Sequence, residues 1–575
     1  MATARRLYLY VVSAAGLGML LSGVVLMLRL LLIKGGIGPH EIASPATTIA
    51  DKETLALAIA VGAVGLAVWA AHWAFVERTI RGDGDRAVAE RRSIVRSVYF
   101  ALWLYFTLIA SGLLVAYTLA NAVRNLVGPA ESNVPSVLAV VGLDDATSLA
   151  LAIPLFLTWA YHAWMRDRDV RQGPVIMGAA AWVARLYMYL AALYAIEQIA
   201  GTVASFIAYV VQGVTTSSGV QGLTTSSSPQ YGRELASTLA LLLVWVPVLA
   251  GHWVYSNRLR SGDGEQAQAE RVSRVRLAFF MLVLLEAAVT FASQFSMASG
   301  NLLLWAFDLR RYDTIPIEYE VFGPTLATIP WLVAWWWARR RAFSEAPVGP
   351  AGVSPWRTSG YVTALVGIAF LALGLAQSVS TFLDQLLAKP IATSDFGPAA
   401  SVLSDIWKIS FIAGLAAALV GLALWLWAWI PARRRRRFDW PAETGSSSRG
   451  WYLYTVAGAA IIWLAVSLAW FLFPVLRRIL GLEAADFGAD IATPLGYALV
   501  AGGLATSHLW ILRSDATPIA TPPWLQPGWP QPAQPAPGPA QPPEPAPGPE
   551  PAPGPKPEPP SADEPAQDAD KPSGS

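Results

Sequence analysis

A hydrocarbon layer about 30 Å thick takes roughly 20 apolar residues of helix to cross, because inside lipid each backbone amide must find its partner within the chain. Twelve runs of that kind follow one another in this sequence, near residues 7–32, 55–76, 95–121, 147–165, 182–212, 235–255, 277–305, 321–338, 360–387, 409–430, 451–475 and 492–512. The fourth and eighth are the shortest. A core of water-soluble helices does not need such lengths, and only 14% of residues are charged, against about 25% in soluble domains. The pattern therefore predicts an all-α fold, a polytopic transmembrane helical bundle of about twelve spans. The first run outlasts the roughly 7–15 apolar residues of a signal peptide and is read as a retained span.

The distribution of charge sets the expected orientation. Basic residues near span ends mark the cytoplasmic side. With the N-terminus inside, most of the 41 Lys and Arg fall on inner segments. Examples are Arg5 and Arg6, Arg91, Arg92 and Arg96, Arg271, Arg274 and Arg276, and the run from Arg433 to Arg437. The expected localisation is the cell membrane, multi-pass, with both termini cytoplasmic. The Arg433–Arg437 run fits a stop-transfer anchor and contact with anionic lipid. The polar, nearly uncharged stretch 215–234 reads as an outer connection. There is no cysteine, which excludes disulfides, thiolate metal sites and cysteine nucleophiles.

The chain also repeats itself. The 20 residues from His72 to Arg91 align without a gap on those from His252 to Arg271. Upstream, Arg6, Tyr8 and Tyr10 match Arg185, Tyr187 and Tyr189. A weaker third copy of that start is read at Arg449, Tyr452 and Tyr454, and His508–Trp510 echoes His162–Trp164. The expected organisation is three parallel four-span repeats, at 1–175, 180–345 and 355–515, followed by a tail at 521–575. An even number of spans gives every copy the same direction through the membrane, as in the parallel halves of some transporters.

Each candidate site has a plainer reading beside it. The turns Gly82-Asp83-Gly84 and Gly262-Asp263-Gly264 resemble phosphate or metal loops, yet a glycine turn capped by Asp83 or Asp85, opening a helix through Glu90 into the third span, explains them. His72, His162, His252 and His508 invite a haem reading. Their neighbours Trp73, Trp164, Trp253 and Trp510, with arginines just beyond, favour an interfacial belt or hydrogen bonds between helices. Glu197 and Glu286, with Gln198 and Gln294 on the same two helices, sit near mid-bilayer, about 18 and 15 Å along the helix from Arg185 and Arg276. Intramembrane acids suggest a proton or cation site. Carboxyls bonded to Ser, Thr or Gln as helix–helix contacts are favoured here, because the other repeats carry no matching acid.

Residues 521–575 hold half of the chain's 42 prolines. That composition buries no core and predicts a disordered Pro-rich cytoplasmic tail, either a spacer or a contact arm for a protein partner. The helix start RRLYLYVVSAAGL, with ARLYMYLAAL and GWYLYTVAGAA, resembles a bacterial multi-pass membrane domain of unknown function that recurs in tandem. The resemblance implies a bacterial membrane setting and brings no catalytic or binding residues. Taken together, the expectation is a membrane scaffold or interaction protein, not an enzyme, with no cofactor, no metal and no nucleic-acid partner. The alternative is a proton- or cation-coupled secondary transporter using Glu197 and Glu286.

Overall fold

The computed structural model describes residues 2–37, 45–81, 84–127, 144–172, 178–216, 228–271, 273–309, 317–345, 354–387, 399–438, 440–481 and 486–516. The Pro-rich tail, Gly82 and Asp83, and the middle of the 215–234 stretch lie outside the described residues. Every regular element among the described residues is an α-helix. The first group is α1 (Ala2–Lys34), α2 (Pro45–Ile80), α3 (Asp85–Arg91), α4 (Ile94–Val127) and α5 (Asp145–Gln172). The second is α6 (Gly178–Thr216), α7 (Ser228–Ser261), α8 (Glu265–Arg271), α9 (Arg274–Ala306), α10 (Ile317–Ala327) and α11 (Ile329–Ser344). The third is α12 (Pro355–Leu387), α13 (Ala399–Phe438), α14 (Trp440–Thr444), α15 (Ser447–Ile479) and α16 (Phe487–Ala516).

Among the described residues eleven helices are long and apolar enough to cross a bilayer, and the chain is a multi-pass membrane protein. The eighth expected span consists of two shorter helices, α10 and α11, which both pack on α6 and α9. The interruption falls at Thr328, whose amide bonds back three residues to Thr325. Pro324 and Pro330 flank it and have no N–H to donate, so the regular ladder fails there.

The expected helix from the GDG turn through Glu90 into the third span is corrected. A short helix, α3, ends at Arg91, and α4 begins separately at Ile94. The N-cap of α3 is Gly84, with no side-chain capping bond, and Asp85 lies inside the first turn and does not have the expected capping role. Each repeat inserts an equivalent short helix, α3, α8 or α14, between its second and third spans. A serine follows each short helix, at Ser93, Ser273 and Ser446. Its amide donates to the carbonyl of Glu90, Glu270 or Glu443 at 3.1, 3.2 and 3.2 Å. Serine suits this place because it is a good N-cap for the span that follows.

The first two spans of repeats one and three close into tight hairpins. A Cβ at Gly23 would meet Ala58 O and Gly62 Cα at 2.6 Å, and one at Gly374 would meet Ala418 N at 2.4 Å. Small residues allow this approach, and close van der Waals packing is what holds helices together in lipid. The repeats then pack in a row. The third span α4 rests on α6 and α7, and the third span α9 rests on α12 and α13. Gly112 of α4 makes room for the fully buried Trp245 of α7. Arg166 donates to Ala184 O, and Arg339 lies over the Trp427 ring. These contacts put the arginine-rich ends of all three repeats on one side, called below the basic end.

Candidate functional site

Three clusters of charge recur at the basic end, one per repeat, built from the same five positions. An arginine and a tyrosine four residues apart share one face of the first span. They are Arg6 and Tyr10, Arg185 and Tyr189, and Arg357 and Tyr361. The short helix brings a glutamate onto both. Arg6 pairs with Glu90 at 2.7 Å, Arg185 with Glu270 at 2.6 Å and Arg357 with Glu443 at 3.1 Å. The tyrosine hydroxyl donates to the same glutamate in each repeat. An arginine opening the third span donates to that hydroxyl, from Arg96 at 3.0 Å, Arg276 at 3.1 Å and Arg449 at 3.2 Å. It also binds an acid at the end of the fourth span. The pairs are Arg96–Asp169 at 2.9 Å, Arg276–Glu345 at 2.6 Å and Arg449–Asp515 at 2.6 Å.

Arg96, Arg276 and Arg449 are each at most 3% exposed. A buried guanidinium is tolerated only when its charge and its N–H groups are matched. The clusters achieve this with different extra members. In the first, Glu77 lies 3.5 Å from Arg96 and 2.8 Å from Arg168. In the second, Ser256 and Asn257 accept from Arg276, and Arg260 joins Glu345 at 3.0 Å. In the third, Arg435 reaches Glu443 and Arg436 reaches Asp515. Two members of the expected lipid-facing Arg433–Arg437 run are thus spent inside the protein. Aromatic faces cover the cations, with Phe100 4.7 Å from Arg96, Trp253 4.8 Å from Arg276 and Trp429 5.2 Å from Arg449.

The four histidines are held one layer deeper by a common logic. Each Nδ1 faces the carbonyl four residues earlier, which can only accept, so Nδ1 carries the proton. Each Nε2 is then an acceptor for a tyrosine hydroxyl: His72 from Tyr8, His162 from Tyr99, His252 from Tyr187 and His508 from Tyr452. Tryptophan completes two chains, Trp159 to Tyr187 and Trp425 to Tyr452. The belt expectation divides accordingly. Trp164 and Trp510 point outward, whereas His162, His508 and Trp73 are buried and Trp253 is partly buried against the core. Where repeat two lacks the pair it lacks both members, with Phe279 and Ala338 at the places of Tyr99 and His162, counted from Arg276 and Glu345.

The residues expected near mid-bilayer form a looser group. Glu197 on α6 is exposed, and Glu286 on α9 is half-buried, as are Gln198 and Gln294. Glu197 interacts electrostatically with Glu286 and with Tyr105 of α4, so it lies where three helices meet. Among the described residues none of the four makes the expected hydrogen bonds to Ser, Thr or Gln.

The sequence reading missed the clusters, although a signal was present. Glu-x-x-Ser-x-x-Arg occurs at residues 90–96, 270–276 and 443–449. It also misplaced the third copy. Arg449 takes the position of Arg96, not that of Arg6, and Arg357 with Tyr361 opens the third repeat. The comparisons agree with this register. A family profile described as a domain of unknown function (DUF5671) matches residues 6–143, 185–331 and 357–503. These matches begin on the three arginines that pair with the short-helix glutamates. No curated protein and no solved structure matches the chain.

Proposed function

The chain belongs to the DUF5671 family, present here in three tandem copies, and from that premise we propose that it is a membrane scaffold without catalytic activity. The observation that carries this reading is the threefold recurrence of the charge cluster. Five side chains from four elements are locked together at the same end of each repeat, in an arrangement suited to holding helices in fixed relation. The deeply placed arginines are occupied by their partners instead of lining a path. The repeats form a row, without extensive packing of α15 or α16 on α1 and α2 among the described residues. By the positive-inside rule the basic end faces the cytoplasm, and so does the Pro-rich arm that follows α16. The arm is the contact element, suited to a domain that reads extended proline segments.

The test is complementation of a deletion strain. Truncation after Ala516 is expected to lose the phenotype, while Glu197→Gln and Glu286→Gln restore it fully. The opposite pattern would overturn the proposal. A second reading, a proton- or cation-coupled transporter, is favoured by one observation. Glu197 and Glu286 are within electrostatic reach of each other and neither is hydrogen-bonded among the described residues. It predicts proton or cation flux in proteoliposomes that Glu197→Gln abolishes. The scaffold reading predicts no flux that depends on either glutamate.

A further inference from the structure

A cavity of about 820 Å³ opens between repeats one and two, bounded by α4 and α5 on one side and α6 and α7 on the other. Its walls are apolar, with Leu104, Leu108 and Val115 from α4, Phe156 from α5 and Val244 and Val248 from α7. Val244 and Arg258 are 14 residues apart on α7, about 21 Å at the helical rise. That length runs from near mid-bilayer to the headgroup level of one leaflet. The basic-end mouth carries Arg166, Asp167, Tyr255 and Arg258. Asp167 is matched by Arg171 on the same helix. Arg166 donates one bond to a backbone carbonyl at 3.2 Å, and the exposed Arg258 makes no ion pair among the described residues. The mouth is therefore net positive and the interior apolar.

The junction between repeats two and three does not reproduce this mouth. Counted from the cluster acids, the counterpart of Arg166 is Ala342, three residues before Glu345. The counterpart of Arg258 is Pro431, twelve residues before Glu443. The two arginines thus belong to the junction that has the cavity.

We infer that this cleft is a site for one anionic phospholipid of the basic-end leaflet, with an acyl chain along α4 and α7 and the phosphate between Arg166 and Arg258. The shape suits a single chain, and the two cations supply complementarity to a phosphodiester, arginine being the better phosphate partner. Seated there, the lipid bridges helices of two repeats, where α5 and α7 face each other across the opening.

Two variants separate the chain from the headgroup. A Cβ on Gly251 has no heavy atom within 4 Å, and Gly251 lines the cleft, so Gly251→Phe fills the cavity with little disturbance of the packing. Arg258→Gln removes an exposed charge. Purified full-length protein in detergent micelles is supplied with dioleoyl phosphatidylglycerol or dioleoyl phosphatidylcholine, and retained lipid is counted by native mass spectrometry. Wild type is expected to retain one phosphatidylglycerol in preference to phosphatidylcholine. Arg258→Gln should weaken that preference about fivefold, the worth of one basic residue near an anionic surface. Gly251→Phe should abolish retention of the bound lipid. Equal retention of the two lipids by wild type, or full retention of phosphatidylglycerol by Gly251→Phe, would overturn the proposal, the latter by showing surface attraction only. Should Gly251→Phe fail to fold, Arg258→Gln decides alone: an unchanged preference rejects the site.

Discussion

Glu345→Gln tests whether the recurring clusters are what hold the bundle. In wild type the Glu345 carboxylate takes two bonds from Arg276, at 2.6 and 3.1 Å, with Arg260 at 3.0 Å and Arg341 at 3.8 Å. The side chains of Arg276 and Glu345 are 4% and 7% exposed. Neutralising Glu345 leaves one buried and two peripheral arginines around an amide with a single accepting oxygen, and Arg276 otherwise keeps only the neutral Tyr189, Ser256 and Asn257. Breaking a buried pair from one side costs about 3–5 kcal/mol. The remaining neutral acceptors argue for the lower end, about 3 kcal/mol, or roughly a hundredfold in the unfolding equilibrium. Arg276→Met should cost less, about 1–3 kcal/mol, since Glu345 keeps Arg260 as a counter-charge while Tyr189 and Ser256 lose a donor. The double variant should cost less than the sum, because neither partner is then stranded. Unfolding in mixed detergent micelles, followed by the fluorescence of the chain's 25 tryptophans, reads all three. A Glu345→Gln protein within about 1 kcal/mol of wild type, or one more stable than Arg276→Met, would refute the reasoning.

Other expectations follow from the same geometry. Tyr99→Phe and His162→Ala should each cost about 1–3 kcal/mol by stranding a buried partner, and the double variant, which copies the Phe279–Ala338 pair of repeat two, should cost less than their sum in the same titration. Gly374→Val should lower the melting midpoint by the equivalent of about 1–3 kcal/mol, since its Cβ would meet the Ala418 amide at 2.4 Å and the Gly414 carbonyl at 2.5 Å; Gly458→Ala, with open space at its Cβ, should leave the midpoint unchanged. Truncation after Ala516 should melt as wild type does. Truncation after Arg513 also removes Asp515, strands the buried Arg449 and should cost about 3 kcal/mol, so equal midpoints for the two truncations would show that the third cluster carries no stability.

The membrane architecture was legible in the chain because the bilayer imposes a one-dimensional rule. A span announces itself by about 20 apolar residues whatever it packs against. The repeat was legible for a similar reason, since 20 ungapped residues from His72 and from His252 keep their spacing through a turn and a short helix. The break at Thr328 was less visible: Pro324 and Pro330 warn of it, but hydropathy passes over them without a gap. The clusters were hidden because their members lie far apart in sequence. Arg96 and Asp169 are 73 residues apart and Arg6 and Glu90 84 apart, and the connecting spans differ in length between repeats, so no constant offset reveals all five positions. What remained constant was local. The Glu-x-x-Ser-x-x-Arg segment is a turn, a cap and a helix start, and local geometry fixes its spacing. Arg449 was assigned to the wrong span because both arginine-bearing helix starts are followed by aromatics, and only the partner, Tyr361 for Arg449 as Tyr10 is for Arg96, tells them apart. The sequence alone thus determined that the chain is a helical multi-pass membrane protein and that its helices come in threefold succession, but not that the eighth expected span is broken. Which arginines are buried, which histidines turn inward, and where a cleft is left open depended on packing between helices that no single helix encodes.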